Sequence, residues 1–450
     1  MSYAPAPADC CASRNRTIFM IVMLALFFLG VAYVCAFKVM DRDFWWHVKA
    51  GEIMWRTKSL IHIDPFAYTR AGLPYLSNRE WLAQVIFFLT YAFGGSTGVI
   101  VLRTLLAALS FGALLFIAPR KTVWPLAFLV FWAAHFSRPS LIERPQLFTF
   151  LCFGLFLLIA LRSLRSGAHA DQHYRALPAH AIGILFLLQL CWVNLHGAAA
   201  IMGIVVVSAL LLQAFVHQWR LRGAGRVIRR LLWVIVGLLL ISLLSPETYR
   251  FFTDLWMLTH DPALMPVKEW RPLALGTYVM TVGPFWVAAL AAVAWTRRNM
   301  TFCLSLLLLV GVMSLQAYRH IILFTMTACA VTLYALAENG SFQTFLHALA
   351  RRRIIAPVLT LLLLLVVGRT VYSKDIAVVQ RQGLFGYGEV PVAGDAYDFL
   401  MSAGLTGNMF NSYNVGSYLL YRGHPSRPVF IDGRNVEYGF DFLNRTLLAG

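Results

Sequence analysis

The chain has 450 residues, of which 59% are hydrophobic and only 13% are charged, and its mean hydropathy is positive. A soluble domain carries about 25% charged residues, and a disordered chain lacks this apolar content, so both classes are excluded. The formal net charge of +18 does not indicate nucleic-acid binding, because membrane proteins place basic residues at the cytoplasmic ends of their spans. The composition therefore predicts a polytopic protein of a lipid bilayer.

Long apolar runs predict the membrane spans, since a hydrocarbon core about 30 Å thick needs roughly 20 apolar residues in a helix. The first run, 17–37, is too long for a signal-peptide core and lacks a small-residue cleavage site, so we interpret it as an uncleaved anchor after a cytoplasmic tail, 1–16. Further runs lie at 98–118, 122–136, 146–162, 179–195, 198–217, 231–246, 276–295, 301–316, 320–336 and 354–372. The sequence predicts an all-α polytopic membrane protein with about eleven transmembrane helices.

Another apolar segment, 81–93, is too short to cross a bilayer, because a helix of that length rises only about 20 Å. If it does not cross, the basic clusters of alternate loops all face the cytoplasm, as the positive-inside rule requires. These clusters include Arg120 with Lys121, Arg226 with its neighbours, Arg297 with Arg298, and residues 351–353. We therefore predict an interfacial or re-entrant helix at 81–93 and a cytoplasmic N-terminus.

Under this topology a transmembrane domain covers 17–372 and carries a large first extracytoplasmic loop at 38–97. A C-terminal segment, 373–450, is also extracytoplasmic and is rich in Gly, Asn, Asp and Tyr. It has short β-type runs at 408–412, 417–421 and 428–432 after a helix near 396–403. This pattern predicts a small α/β unit that is either minimal or truncated at its end.

The densest polar cluster follows the first apolar run and contains Asp41, Asp43 and His47. Two carboxylates at positions i and i+2 can hold a divalent cation, or one can act as a general base beside the other. The alternative is that both acids solvate a juxtamembrane turn next to an aromatic belt formed by Trp45 and Trp46. The spacing alone leaves both interpretations open.

The strings around this cluster resemble a known family. The DxD and WWH strings at 41–47, DPFAYT at 64–69 and EWL at 80–82 are similar to the first outer loop of bacterial multi-span proteins related to the GT-C glycosyltransferases. Further similar strings are Arg144-Pro145-Gln146, WVNLHG at 192–197, Glu269-Trp270, Arg319-His320, NSYNVG at 411–416 and FIDGR at 430–434. The resemblance covers nearly the whole chain and implies a GT-C fold and a location in a bacterial inner membrane. Because one fold serves many functions, the activity still has to be argued from the site.

The resemblance implies that a sugar is transferred from a polyprenyl-phosphate or diphosphate donor on the outer face. It also implies that an acidic residue of the first outer loop activates the acceptor or binds a metal, and here that role falls on Asp41 or Asp43. The acceptor would be an envelope glycan, a lipid or a protein, and inversion at the anomeric carbon is expected from the class. Which carboxylate is the base stays open.

A departing phosphate requires cations on its oxygens, and arginine binds phosphate through a bidentate fork. We predict donor-phosphate contacts from Arg144, Arg271, Arg319 and His320. The alternative for each arginine is a side chain that snorkels to the membrane interface, and for Arg144 also a pair with Glu143. Arg103, inside an apolar run, is expected to snorkel or to pair with an acid of the first loop.

Five other polar residues are predicted to line the cavity or the acceptor site: His47, Glu80, Asn194, His196 and Glu269. A divalent metal (Mg, Mn or Zn) is a candidate cofactor on Asp41, Asp43 and His47, although His47 belongs to no HxxxH or HExxH spacing. A lone histidine near an interface is more often a hydrogen-bonded structural group. No nucleotide cofactor is predicted, because Walker and GxGxxG motifs are absent from the sequence.

The sequence as a whole predicts a membrane glycosyltransferase with a polyprenyl-phosphate-linked sugar as donor. The main rival is a non-catalytic transporter or assembly partner for lipid-linked glycans that uses the same pocket without breaking a bond. A purely structural scaffold is a third possibility. A transporter would place ionisable groups near the middle of its spans, where this sequence has few.

Overall fold

The structure is a computed structural model, and it describes residues 7–166, 177–218, 224–250, 252–253, 268–351, 386, 388–390 and 392–448. This part of the chain is built from α-helices joined by short turns, and its β-type pairings are isolated bridges. The helices are α1 Pro7–Val34, α2 Phe44–Thr57, α3 Trp81–Leu115, α4 Arg120–Phe136, α5 Gln146–Ser166, α6 Ala179–Leu195, α7 Ile201–Val216, α8 Ala224–Ser242, α9 Leu275–Thr281, α10 Gly283–Thr296, α11 Met300–Gln316, α12 Ile321–Glu338, α13 Gly340–Arg351, α14 Gly394–Ser402, α15 Tyr413–Gly423 and α16 Asn435–Leu448.

Within the described residues, fewer helices have the length and apolar composition of a membrane span than the sequence predicts. Within the described residues four helices are long and apolar enough to cross a membrane, Asn78–Leu115, Gln146–Arg165, Gly197–Val216 and Tyr318–Glu338. The pair α9 and α10, bent by 52°, would form a fifth span. The other predicted runs in the described residues coincide with shorter or less apolar helices, and the run at 354–372 lies outside those residues. The protein is multi-pass, but the predicted count of eleven is not confirmed.

Helix α3 contains the ambiguous segment 81–93 and is broken after it. Gly95 has φ 55° and ψ −154°, a backbone conformation that glycine adopts without a steric penalty. A Cβ built at Gly98 would lie 2.9 Å from the carbonyl oxygen of Thr90, whereas eight residues of unbroken helix would separate the two positions by about 12 Å. The chain therefore turns sharply near Gly95, inside the segment that is long and apolar enough to cross a membrane.

Helix α12 forms the centre of the bundle. The most apolar stretch of this helix is 89% buried inside the protein, and the helix packs against α4, α5, α10 and α11. At its end, Glu338 forms ion pairs with Arg165 at 2.8 Å and Arg298 at 3.1 Å. Arg319 precedes the opposite end, about 27 Å away for a helix of this length. Arg165 and Arg298, which the sequence assigns to the cytoplasm, thus lie at the far end of α12 from Arg319.

The C-terminal segment is helical where the sequence predicts a strand. Helix α15 contains the whole β-type run 417–421, so that strand prediction is wrong. The run Tyr418-Leu419-Leu420 is continuously buried, and a short apolar run cannot be assigned to helix or strand by its period. The described residues 408–412 have no regular secondary structure, and in 428–432 only Val429 forms an isolated bridge, with Ala67. The predicted helix near 396–403 is present as α14.

A buried ionic cluster fastens this segment to the first loop. Arg434 is fully buried and pairs with Asp64 at 2.8 Å and with Asp432 at 2.6 Å. Glu437 pairs with Arg70 at 3.0 Å and accepts a hydrogen bond from the hydroxyl of Ser77 at 2.9 Å. Removing one partner from a buried pair leaves an uncompensated charge, which typically destabilises a protein by about 3–5 kcal/mol. The cluster therefore fixes the C-terminal segment beside the first loop.

Arg103 forms a second buried pair, and its position corrects the sequence-based expectation. Its side chain is fully buried and pairs with Glu143, which follows α4, instead of snorkelling or binding a first-loop acid. The guanidinium also donates hydrogen bonds to the carbonyl oxygens of Cys35, at 2.7 Å, and Phe37. Because Glu143 pairs with Arg103, the ion pair between Arg144 and Glu143 that the sequence left as an alternative does not form.

Candidate active site

A cavity of about 730 Å³ lies where the first loop, the start of α5, the turn before α12 and the C-terminal segment meet. It brings together predicted residues that are distant in the sequence. Those that line it are Asp41, Asp43, His47, Glu80, Arg144, His196, Glu269 and Arg319. A smaller and more apolar cavity of about 210 Å³ adjoins it, shares Glu80, His196 and Arg319, and extends to His320.

Arg144 joins three carboxylates on one side of the cavity. Its Nε and Nη2 donate to the two carboxylate oxygens of Asp41 at 2.8 and 2.9 Å. Its Nη1 donates to Glu269 at 2.9 Å, and Nη2 also lies 2.9 Å from Oδ2 of Asp43. A planar guanidinium with five N–H donors suits such a fork. The N–H groups of Arg144 therefore bind these three carboxylates, and a phosphate would have to compete with the carboxylates for the same N–H groups.

Asp43 is the carboxylate that reaches into the cavity. Its side chain is 21% exposed, against 5% for Asp41, which Arg144 holds from both oxygens. Burial raises the pKa of Asp43 to about 7; Arg144 opposes this shift, and the charges of Asp41, Glu269 and Asp432 add to it. A carboxyl group with a pKa near 7 can accept a proton in one step and release it in the next at neutral pH.

The predicted metal ligands do not form a metal site in this arrangement. In the part of the chain that the structure describes, no group of three or more His, Cys, Asp or Glu side chains is placed to hold a metal ion. Arg144 binds both Asp41 and Asp43, so its positive charge lies where a cation would. The Nδ1 atom of His47 faces Glu80 instead, at 3.8 Å. In this arrangement Asp41, Asp43 and His47 do not fit a metal ion.

Arg319 and Glu80 also line the cavity. The guanidinium of Arg319 stacks on the ring of Trp270, 4.4 Å from its centroid, and no described carboxylate forms an ion pair with it. Glu80 lies between two histidines, with its Oε1 3.7 Å from Nε2 of His196 and its Oε2 3.8 Å from Nδ1 of His47. Arg319 thus differs from Arg144 in offering its charge to the cavity.

Three predicted site residues lie outside the larger cavity. Arg271 is exposed and lines neither cavity. Asn194 also lines neither; its Oδ1 accepts a hydrogen bond from Nε1 of Trp81 at 2.7 Å, which joins α6 to the start of α3. His320 borders only the smaller cavity, and its Nδ1 donates to the carbonyl oxygen of Met313 at 3.1 Å.

The C-terminal segment supplies site residues that the sequence analysis did not assign. Tyr413, Asn414, Gly433 and Arg434 line the larger cavity. A Cβ built at Gly433 would lie 1.9 Å from Oδ1 of Asp43, so only glycine fits there without a shift. Two of the family-like strings contain these residues, but no charge or spacing in them points to Asp43.

Comparison with known proteins identifies the fold. No protein-family model and no curated protein matches the sequence. Among solved structures, the archaeal oligosaccharyltransferase AglB from Archaeoglobus fulgidus, in complex with an inhibitory peptide and a dolichol-phosphate, is similar with a TM-score of 0.60 and 11% identity. The apo form of the Archaeoglobus fulgidus oligosaccharyltransferase gives a TM-score of 0.59 at 12% identity. The chain has a GT-C fold.

The similarity covers 91% of this chain but only 64% of the oligosaccharyltransferase chain, so the protein spans less than two thirds of that neighbour. ArnT from Cupriavidus metallidurans, bound to undecaprenyl phosphate, is aligned over 96% of this chain and 88% of its own, with 13% identity and a TM-score of 0.49. At such identities the likeness concerns the fold alone. The GT-C fold expected from the sequence is supported by the likeness to the oligosaccharyltransferase.

Proposed function

We propose that this protein is a membrane glycosyltransferase that moves a sugar from a polyprenyl-phosphate donor to a glycan, lipid or protein acceptor on the extracytoplasmic face. The observation that carries the proposal is the meeting of Asp43, Arg144 and Arg319 in one cavity of about 730 Å³ within a GT-C fold. The dolichol-phosphate in the similar oligosaccharyltransferase supports a lipid phosphate as the leaving group.

Asp43 is the proposed general base. An acceptor hydroxyl oxygen forms a bond to the anomeric carbon of the donor sugar, and its proton passes to the carboxylate of Asp43. The bond between that carbon and the phosphate oxygen breaks, and its electron pair stays on the phosphate, which leaves as polyprenyl phosphate. A single displacement of this kind inverts the anomeric carbon. Proton transfer to a positioned base typically contributes a rate factor of about 10²–10⁴.

Arg319 is the proposed phosphate ligand, because it faces the cavity without a carboxylate partner among the described residues. A cation fixed at a developing phosphate charge stabilises the transition state more than the ground state. Arg144 has a different proposed role. Its bonds to Asp41, Asp43 and Glu269 hold the base in place and offset the repulsion between neighbouring carboxylates.

The outer-face assignment rests on the charge distribution. Arg165, Arg298 and Glu338 lie together at one end of the bundle, and the cavity with Arg319 lies toward the other end of α12. If the first end is cytoplasmic, as the positive-inside rule requires, the cavity opens on the extracytoplasmic side of a bacterial inner membrane.

Release of undecaprenyl phosphate tests the proposal. The purified protein in liposomes receives undecaprenyl phosphate carrying one radiolabelled hexose, with a cell-envelope extract as the acceptor mixture. We expect label to move from the lipid into the extract with the parent protein and not with Asp43→Asn. Glu389→Gln is the matched control, since Glu389 bonds to Tyr91 and Ser96 and does not line the cavity. A transporter or assembly partner would bind the lipid and leave its bond intact in every variant.

A further inference from the structure

The proposed displacement uses Asp43, Arg144 and Arg319 and leaves a second polar cluster in the cavity without a role. This cluster consists of His47, Glu80 and His196, and all three line the cavity. Glu80 is separated from the two ring nitrogens by 3.8 and 3.7 Å, which is beyond hydrogen-bond distance. The three groups therefore face one another across gaps that hydroxyl groups could bridge.

The hydroxyl group of Thr149 fixes the orientation of the His196 ring. The indole N–H of Trp192 can only donate, so the oxygen of Thr149 accepts from it, at 2.9 Å. The hydroxyl proton of Thr149 is then available to Nδ1 of His196, 2.7 Å away. Burial, with the charges of Arg319 and Arg79, lowers the pKa of His196 to about 3, so the ring is neutral. When Thr149 donates to Nδ1, the one proton of the ring sits on Nε2, which faces Glu80.

His47 leaves a polar atom without a partner in the same region. Its side chain is 3% exposed, and Nδ1 has no hydrogen-bond partner among the described residues. The ring is held against Trp46, with centroids 3.7 Å apart, so Nδ1 cannot turn freely toward water. An unsatisfied buried polar atom costs free energy unless a ligand pairs with it.

We propose that Glu80, His47 and His196 bind two neighbouring hydroxyl groups of a sugar ring. This inference rests on the proposed function and names the part of the substrate that this cluster recognises. A carboxylate accepts hydrogen bonds from both hydroxyls, Nε2 of His196 donates to one oxygen, and the unpartnered nitrogen of His47 pairs with the other. The rings of Trp46 and Trp270, which also line the cavity, offer apolar surfaces to the sugar carbons.

The hydroxyls could belong to the transferred sugar or to a glycan acceptor, and two probes separate these sources. Quenching of tryptophan fluorescence is measured with hexose-linked undecaprenyl phosphate, with sugar-free undecaprenyl phosphate and with a panel of free methyl hexosides. We expect Glu80→Gln to weaken sugar binding roughly tenfold or more, the effect of losing a charge-assisted hydrogen bond. Sugar-free lipid should bind as tightly to this variant as to the parent protein.

Thr149 provides the matched pair of variants. Thr149→Val removes the hydroxyl that fixes the His196 ring and should weaken sugar binding, whereas Thr149→Ser keeps the hydroxyl and should restore it. Glu389→Gln should bind all probes normally. A thermal unfolding midpoint for each variant shows whether the protein is folded.

Each outcome has a defined meaning. A Glu80-dependent difference seen only with the hexose-linked lipid assigns the site to the donor sugar, and one seen with free methyl hexosides assigns it to the acceptor. If Glu80→Gln and Thr149→Val bind every sugar probe as the parent does, the inference is wrong, even if Asp43→Asn abolishes transfer. If Asp43→Asn transfers sugar normally while Glu80→Gln loses sugar binding, the proposed base is wrong and the sugar site stands.

Discussion

Replacing Gly433 with alanine should displace the proposed base while the protein stays folded. The new Cβ would lie 1.9 Å from Oδ1 of Asp43, whereas ordinary contacts begin at 3.4 Å, so the carboxylate must retreat by about 1.5 Å. Gly433 is not among the glycines with positive φ, so the backbone itself accepts alanine. A misplacement of about 1 Å at a reacting group can reduce the rate roughly 100-fold. Overpacking of this kind typically destabilises a protein by only about 1–3 kcal/mol.

The assay compares initial rates of sugar transfer and thermal unfolding midpoints in the same liposome preparation. We expect Gly433→Ala to lose about two orders of magnitude in rate with a modest fall in the unfolding midpoint. Gly276→Ala is the control, because a Cβ at Gly276 would meet nothing within 4 Å. A Gly433→Ala protein with the parent rate would refute the reasoning that the position of the Asp43 carboxylate sets the rate.

Four further predictions follow from the charges. The transfer rate should rise with pH and level off above about 7, because Asp43 must lose its own proton before it accepts another and its pKa is raised to about 7; a rate independent of pH contradicts this. Arg434→Met should lower the free energy of unfolding by about 3–5 kcal/mol, since Asp64 and Asp432 lose their buried counter-charge; unchanged stability in a denaturant titration argues against it. Chelation by EDTA should leave transfer intact, because Arg144 already supplies the positive charge beside the carboxylates; activity lost with EDTA and restored by Mg²⁺, Mn²⁺ or Zn²⁺ would revive the metal hypothesis. A membrane-impermeant maleimide should label a cysteine placed at Asn408 but not one at Arg226, both exposed positions; labelling of position 226 in sealed cells would reverse the topology.

The apolar runs locate helices but not the bends within them. Each predicted run in the described residues coincides with a helix, because a continuous apolar stretch can satisfy its backbone in lipid only in that form. The same runs do not show that the segment around Val282 bends by 52° or that the chain turns sharply at Gly95. Those features depend on tertiary packing; within the described residues four or five segments reach the length of a span, and the count of eleven is not confirmed.

The cavity-lining residues that could be predicted from the sequence are charged residues next to apolar runs. Asp41 and Asp43 stand out as a pair at the end of an apolar run, and Arg319 stands out because no acid adjoins it in sequence. Gly433 has no such signal, since its importance arises from a contact with Asp43 between segments nearly 400 positions apart. Arg271 is predicted as a phosphate contact together with Arg319, but its side chain is exposed and lines neither of the two cavities.

The most direct test of the account is a structure of the protein with hexose-linked undecaprenyl phosphate bound to the Asp43→Asn variant, in which the donor should remain intact. The account predicts that the lipid phosphate lies within ion-pair distance of Arg319 and that the anomeric carbon of the sugar faces residue 43 from the same cavity. A phosphate bound elsewhere on the protein, or a sugar that cannot reach residue 43 from its bound position, would contradict the proposed function.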